Sequence, residues 1–350
     1  MINLDGVNIS FNSKPYIIAE IGVNHEGSVS RAKQLIDLAI KGGADAVKFQ
    51  TYKAEKLASK NSPAYWDTSK EATQSQYKLF KKYDSFEYED YLRLSEYSKK
   101  LGITFISTAF DLESVDKINN LVAYHKISSS DITNLPLLER IASKKKPVLL
   151  STGASNINEI KYAVDTLKAN GAHEIIIMHC ILNYPTKNKN ANLDMIIDLK
   201  KHFPGHIIGY SDHCLPDSDM NVLVTSFMLG AVVIEKHFTD DKSLPGNDHY
   251  HSMDYKDLRK FRDKINMISE IKGIIGKKEC IESENIARLN ARRSLVLKHS
   301  LKKNHKIELD DLIAKRPGIG ISPLEIDKII GKTLVRDIKE DHILDYKDFK

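Results

Sequence analysis

Short apolar runs alternate with stretches of helical period through the first roughly 270 residues of this chain, and that alternation leaves few folds open. The runs fall at residues 16–21, 46–50, 104–107, 124–127, 147–150, 174–178, 207–210 and 231–234. Between them lie segments such as 30–41, where Ala32, Leu35, Ile36 and Ala39 share one helical face and Gly42-Gly43 supplies a stop. A second segment, 159–169, has the same period. Continuously apolar strands separated by helices imply an α/β protein whose parallel sheet is covered on both faces. About eight such units in this length predict a (β/α)₈ TIM barrel.

In such a barrel the C-terminal ends of all strands meet at one mouth, where active sites form. Polar residues recur at those ends: Glu20, Lys48, Gln50, Thr108, Lys126, Ser129, Ser151, Ser211, His213 and His237. Taken singly, each could do no more than satisfy local backbone groups. Lys48 and Lys126 are harder to account for that way, because each sits within an apolar strand and an unpaired buried ammonium is costly. Two convergent lysines among hydroxyls form a pocket for phosphate and carboxylate. His213 and His237 end consecutive strands beside acidic residues, a spacing that suits a two-histidine metal site open to water and substrate. Cys214, next to His213, reads as packing.

Composition sets the outer limits. Net charge is +5, from 52 basic and 47 acidic residues among 350. That is a mixed surface, and its lysine runs (144–146, 277–278) are not interleaved with aromatics, so no nucleic-acid partner is expected. Three scattered cysteines argue against a disulfide framework and for a reducing cytoplasm. No apolar stretch is long enough to span a membrane, and residues 1–5 lack a secretory pattern.

Two regions lie outside the alternation. Residues 52–85 form a long polar stretch that carries the single tryptophan, Trp66. Such a loop after a barrel strand either lids the mouth or adds surface helices. After a barrel domain at 1–276, the charged stretch 277–290 reads as a linker. Residues 291–350 then form a small domain with short strands at 294–297, 307–309 and 333–335. Its most unusual stretch is Lys315-Arg316-Pro317-Gly318, a rigid turn able to aim Arg316 outward.

The ordered set Glu20-Ile21-Gly22-Val23-Asn24-His25-Glu26-Gly27, Val47-Lys48-Phe49-Gln50-Thr51, Ser151-Thr152-Gly153, Tyr184-Pro185-Thr186, Gly209-Tyr210-Ser211-Asp212-His213, Glu235-Lys236-His237-Phe238-Thr239, Pro245-Gly246-Asn247-Asp248 and Lys315-Arg316-Pro317-Gly318 resembles the sialic acid synthases. This is the bacterial N-acetylneuraminate synthase family with its legionaminic and pseudaminic relatives. The resemblance spans nearly the whole chain, and the C-terminal part is similar to an antifreeze-like (SAF) domain. It implies condensation of phosphoenolpyruvate with an N-acyl hexosamine, N-acetylmannosamine as the first expectation, to a nonulosonic acid and phosphate. A 2,4-diacetamido-trideoxyhexose is the alternative acceptor. A divalent metal, Mn²⁺ by the same resemblance, would be held by His213 and His237, with Glu20 as the acid/base group. Lys48, Lys126, Ser129, Ser151 and Ser211 would bind phosphoenolpyruvate. Gln50, Tyr184 and Asp248 would lie near the sugar or a metal-bound water, with Thr108 and Asp131 completing the substrate pocket. Arg316 would reach the N-acyl group from the partner in a domain-swapped homodimer.

The chain departs from the family in three places. Ser128-Ser129-Ser130-Asp131 stands where many members have Gly-Ser-Gly-Glu, Ile181-Leu182-Asn183 replaces a polar pair, and Thr108-Ala109-Phe110 replaces Thr-Pro-Phe. Asp111-Leu112-Glu113-Ser114 leans toward the legionaminic type. A metal aldolase or isomerase on the same barrel, or a non-catalytic carbohydrate-binding protein, would be the competing readings. The latter has no need of Glu20 or of two metal histidines.

Overall fold

The computed structural model describes residues 1–246, 248–273 and 276–350. Asn247 of the Pro245–Asp248 motif lies outside the described residues, as do Ile274 and Ile275 at the end of the expected 1–276 barrel. The chain divides into two compact units, Met1–Gly273 and Ile274–Lys350.

The first unit opens with an antiparallel hairpin, β1 (Ile2–Leu4) and β2 (Val7–Ile9), that the alternation of strands and helices did not announce. Its turn is Asp5-Gly6, both at positive φ (51° and 88°), which is the backbone a two-residue hairpin needs. Eight parallel strands then close a barrel: β3 (Tyr16–Gly22), β4 (Ala46–Thr51), β5 (Thr104–Ala109), β6 (His125–Ile127), β7 (Val148–Ser151), β8 (Ile175–Cys180), β9 (Ile207–Asp212) and β10 (Val233–His237), with β10 paired back to β3. The expected (β/α)₈ barrel is therefore present. Every residue of these strands except half-buried Gln50 is buried, as a sheet with both faces covered requires.

The helices supply the outer layer. Val29–Gly42 starts where the Ser28 side chain accepts from Arg31 N (3.2 Å) and stops at Gly43, whose φ of 91° suits only glycine without strain. It buries Ala32, Leu35, Ile36 and Ala39 and packs against Tyr255–Lys272. Gly209 is needed for a different reason. A side-chain carbon there would stand 2.7 Å from the Val233 carbonyl oxygen, so β9 and β10 can approach only over a glycine.

Strand alternation sorts β9 and β10 into two chemistries. Ser211, Glu235 and His237 face the barrel's interior mouth, as does His213 just past β9. Asp212 and Lys236 face the other way. They pair across the two strands in register, Nζ to Oδ2 at 2.5 Å, and both are almost completely buried.

In the second unit the antiparallel pair is β11 (Ser294–Leu297) with β12 (Leu312–Lys315). The expected strands at 307–309 and 333–335 are not formed. Those segments contribute single bridges, Lys306 to Thr333 and Leu334 to Phe349, because the chain turns again within a few residues. The expected linker 277–290 contains a short 3-10 turn, Glu282–Glu284, and most of a helix, Asn285–Ala291. Two nearly buried aspartates pin this small unit. Asp311 accepts from His299 and His305, and Asp348 from Arg336 and His342, all at 2.7–3.0 Å.

Candidate active site

Every barrel residue expected at the site lines one cavity of about 380 Å³ at the C-terminal end of the strands. Glu20, Lys48, Gln50, Thr108, Lys126, Ser129, Asp131, Ser151, Tyr184, Ser211, His213, His237 and Asp248 all contribute to its wall. The whole cavity belongs to the Met1–Gly273 unit. Arg316 belongs to the other unit, exposed just after β12 and followed by a cis peptide to Pro317.

The floor is a buried charge network. Lys48 Nζ lies 2.7 Å from Glu20 Oε2, 2.9 Å from Thr108 Oγ1 and 3.7 Å from Glu235 Oε1. Lys126 Nζ lies 3.5 Å from the same Glu235 oxygen, to which Ser211 Oγ also donates at 3.2 Å. Burial dominates the titration of these groups, and their partners decide its direction. Burial, reinforced by Glu235, pushes the Glu20 carboxyl up, against the pull of Lys48. Burial also raises Glu235, but Lys126 and Lys48 outweigh it and hold that carboxyl below the usual range. Lys126 is lowered by burial, while Lys48, with Glu20 and Glu235 beside it, is raised despite burial. The result is one firm carboxylate, one carboxyl poised nearer neutrality and two cations. Ser151 Oγ is buried here without a hydrogen-bond partner, and Ser129 Oγ accepts from Gly153 N at 2.9 Å.

Beside this network stand the imidazoles, His237 in register with Glu20 on the neighbouring strand. The rings of His213 and His237 are 5.5 Å apart, centre to centre. Burial lowers both, His213 to about 4 and His237 well below its ordinary value, so both are neutral near pH 7. His213 Nδ1 donates to the Ile181 carbonyl at 2.8 Å, which leaves Nε2 as a lone pair. His237 Nδ1 is buried without a hydrogen bond, 3.6 Å from Asp248 Oδ2. Burial works to raise Asp248, but His237 and His251 outweigh it and keep its carboxylate low. The Tyr184 ring lies 4.1 Å from that of His213. Among the described residues, no group of three His, Cys, Asp or Glu side chains is set to hold a metal unaided.

The long segment 52–85 folds over this mouth. Tyr52, Leu57, Tyr65, Trp66, Leu79 and Phe80 line the cavity. Trp66 is fixed by a bond from Nε1 to the Glu71 carbonyl at 3.1 Å. Leu182 lines the cavity at the position where a polar residue is usual, and Asn183 is not part of the wall. Asp131, one methylene shorter than the usual glutamate, reaches the wall and is tied to Asn134 Nδ2 at 3.1 Å.

Three contributors escape sequence reasoning. Glu235 was visible two residues before His237, a spacing that places both on one strand face, yet only the barrel shows it shared by Lys48 and Lys126. His251 is fully buried, 4.8 Å from the His237 ring and three residues after Asp248, but it sits on a loop whose path no periodicity encodes. Tyr52 continues the inward series Lys48, Gln50 just beyond β4.

The NeuB family matches residues 35–277 and the SAF domain residues 292–350. The chain is 40% identical to the N,N′-diacetyllegionaminic acid synthase of Legionella pneumophila over 91% of this chain and 90% of that protein. It is 38% identical to the N,N′-diacetyllegionaminic acid synthase of Campylobacter jejuni, over 95% and 99%. The crystal structure of the N-acetylneuraminic acid synthetase of Leptospira borgpetersenii superposes with a TM-score of 0.72 at 34% identity, over 82% of this chain and 94% of that one. With this barrel, this strand-end set and these matches, the chain belongs to the NeuB family of sialic, legionaminic and pseudaminic acid synthases and ends in a SAF domain.

Proposed function

We propose that this protein condenses phosphoenolpyruvate with the open-chain form of an N-acylated hexosamine, giving a nine-carbon 2-keto acid and phosphate. The observation that carries the reading is the shared cavity: two buried ammonium groups, an unpartnered serine hydroxyl and two neutral imidazoles line it together. Lys48 and Lys126 take the phosphate and carboxylate of phosphoenolpyruvate, helped by the hydroxyls of Thr108, Ser129, Ser151 and Ser211. The new C–C bond joins the methylene carbon of phosphoenolpyruvate to the aldehyde carbon of the sugar, whose oxygen takes a proton. Positive charge then develops at C2, water adds there, and the C2–O bond to phosphate breaks. Glu20, beside Lys48 and pushed up by burial, can carry the proton of that water and stabilise the charge.

The imidazoles of His213 and His237 fit a divalent cation, Mn²⁺ first. They are neutral, buried and carry free lone pairs, and two nitrogen donors leave the remaining positions to water and substrate oxygen. When bound, such an ion supplies Lewis-acid polarisation of the sugar aldehyde.

N-acetylmannosamine and a 2,4-diacetamido-trideoxyhexose both fit this scheme. The two relatives named as N,N′-diacetyllegionaminic acid synthases make the second acceptor at least as well supported as the first. Arg316 completes the acceptor site from the partner in a domain-swapped homodimer. Arg316→Ala is then expected to raise KM for the sugar about tenfold or more, the worth of one charge-assisted hydrogen bond, with KM for phosphoenolpyruvate little changed. Unchanged sugar dependence would remove the small unit from the site.

The test of the reaction is incubation with phosphoenolpyruvate, Mn²⁺ and a panel of N-acyl hexosamines, following phosphate and 2-keto acid together. Failure of every sugar in a broad panel sinks the reading.

A further inference from the structure

His251 is fully buried, and neither of its ring nitrogens has a hydrogen-bond partner at ordinary distance. Packing alone does not call for an imidazole here, since two stranded polar atoms cost free energy that a phenyl ring would not. The rings of His237, Tyr250 and Tyr184 surround it, 4.8, 5.1 and 5.6 Å away between centres. Facing its Nε2 is a carboxylate oxygen, Asp248 Oδ1, at 3.8 Å.

That carboxylate has a second imidazole at its other oxygen. His237 Nδ1 lies 3.6 Å from Asp248 Oδ2. One aspartate thus stands between two rings, with one ring to each oxygen. The backbone sets this arrangement. Residues 248–251 form a turn that puts Asp248 and His251 three positions apart. Ser252 Oγ donates to the Asp248 carbonyl at 2.5 Å and accepts from Asn24 Nδ2 at 3.2 Å. Met253 N donates to the His237 carbonyl at 2.8 Å, and Thr239 N donates to the Met253 carbonyl at 3.0 Å. These bonds stitch the end of the turn to the end of β10, which holds Asp248 and His251 beside His237.

An imidazole that binds a metal through one nitrogen needs its other N–H answered, because that contact fixes the tautomer and the ring. His213 has its answer in the Ile181 carbonyl. Resting on the metal assignment within the condensation reading above, we propose that His251 is a positioning residue for His237. Its Nε2–H holds Oδ1 of Asp248, so that Oδ2 stays on the Nδ1–H of His237 and the Nε2 lone pair of His237 is the one presented to the cation. His251 itself does not touch the ion. Separations of 3.6 and 3.8 Å are longer than finished hydrogen bonds. Both close when His237 is loaded, since a metal-bound imidazole is the stronger N–H donor.

The experiment reads Mn²⁺ affinity by calorimetry, without either substrate, in the full-length protein, in His251→Phe and in His251→Gln. Phenylalanine keeps a ring and removes the donor. Glutamine gives up the ring and keeps an N–H at about the reach of Nε2. His251→Phe is expected to weaken Mn²⁺ binding about tenfold, and His251→Gln to stay within about threefold of the wild type. Equal affinities in the two variants, or the reverse order, overturn the proposal. The wild-type protein loaded with Co²⁺ gives a second check that needs neither variant to fold. Its proton spectrum should show an exchangeable His237 N–H with a nuclear Overhauser contact to one ring C–H, the mark of Nδ1–H. Contacts to two ring C–H groups mark Nε2–H and overturn the tautomer. Because no substrate is needed, the condensation reading fails separately. If Mn²⁺ binds with this dependence on His251 and no sugar turns over, that reading falls and the proposal stands. If the wild type binds no divalent cation, the metal assignment and the proposal fall together.

Discussion

Replacing His237 with alanine is expected to lower kcat by at least about a thousandfold and to abolish tight Mn²⁺ binding in the same variant. The two losses belong together because His237 and His213 are the paired neutral nitrogen donors of the cavity, 5.5 Å apart between ring centres. His251, 4.8 Å from His237, is not expected to substitute, since its ring is fully buried and edge-on to that of His237, outside the cavity wall, and no three-residue donor group forms among the described residues. Metal content after dialysis and steady-state rates, measured on one preparation, give the check. Full activity of the wild-type protein in excess chelator would refute the assignment, as would a variant that keeps its metal while losing rate only a few-fold.

The second large effect concerns stability. Asp212→Ala is expected to cost about 3–5 kcal/mol, the usual penalty for stranding one member of a buried ion pair. In a unit of this size that corresponds to a fall in Tm of roughly 10 °C. The carboxylate answers three donors at once: Lys236 Nζ at 2.5 Å, the Tyr210 hydroxyl at 2.7 Å and the Cys214 amide at 2.9 Å. Its removal leaves the ammonium with the Cys214 carbonyl, 2.6 Å away, as its remaining partner among these contacts. Asp212 precedes His213 and Lys236 precedes His237, so this pair clamps β9 to β10 directly behind the two imidazoles. Activity per folded molecule should fall as well. A Tm within about 2 °C of the wild type would show that the clamp carries little of the barrel's stability.

The sequence made the barrel legible because fully buried parallel strands leave a plain mark. All eight apolar runs became strands, displaced by no more than about two residues at their starts. The site was legible for a related reason. A lysine in an apolar strand is conspicuous, and the period of two assigns it a face. The small unit was harder to read, since its order comes from single bridges and aspartate-centred turns and not from periodic burial. The expected strands at 307–309 and 333–335 failed on that account. Glu235 and Tyr52 went unassigned because their roles depend on neighbours from other strands and from the 52–85 segment. The Asp5-Gly6 turn, by contrast, was there to be read and marks a hairpin by the ordinary rule for that dipeptide.

The glutamate shared by Lys48 and Lys126 bears on turnover as much as on recognition. With Glu235 between them, neither ammonium is left bare when the barrel is empty, so vacating the site exposes no uncompensated charge to the apolar wall. Incoming substrate and outgoing phosphate each exchange one counter-anion for another. A floor built this way can let its inorganic product go without first unfolding part of the cavity, and a leucine in place of that glutamate would be expected to trap phosphate rather than to speed its capture.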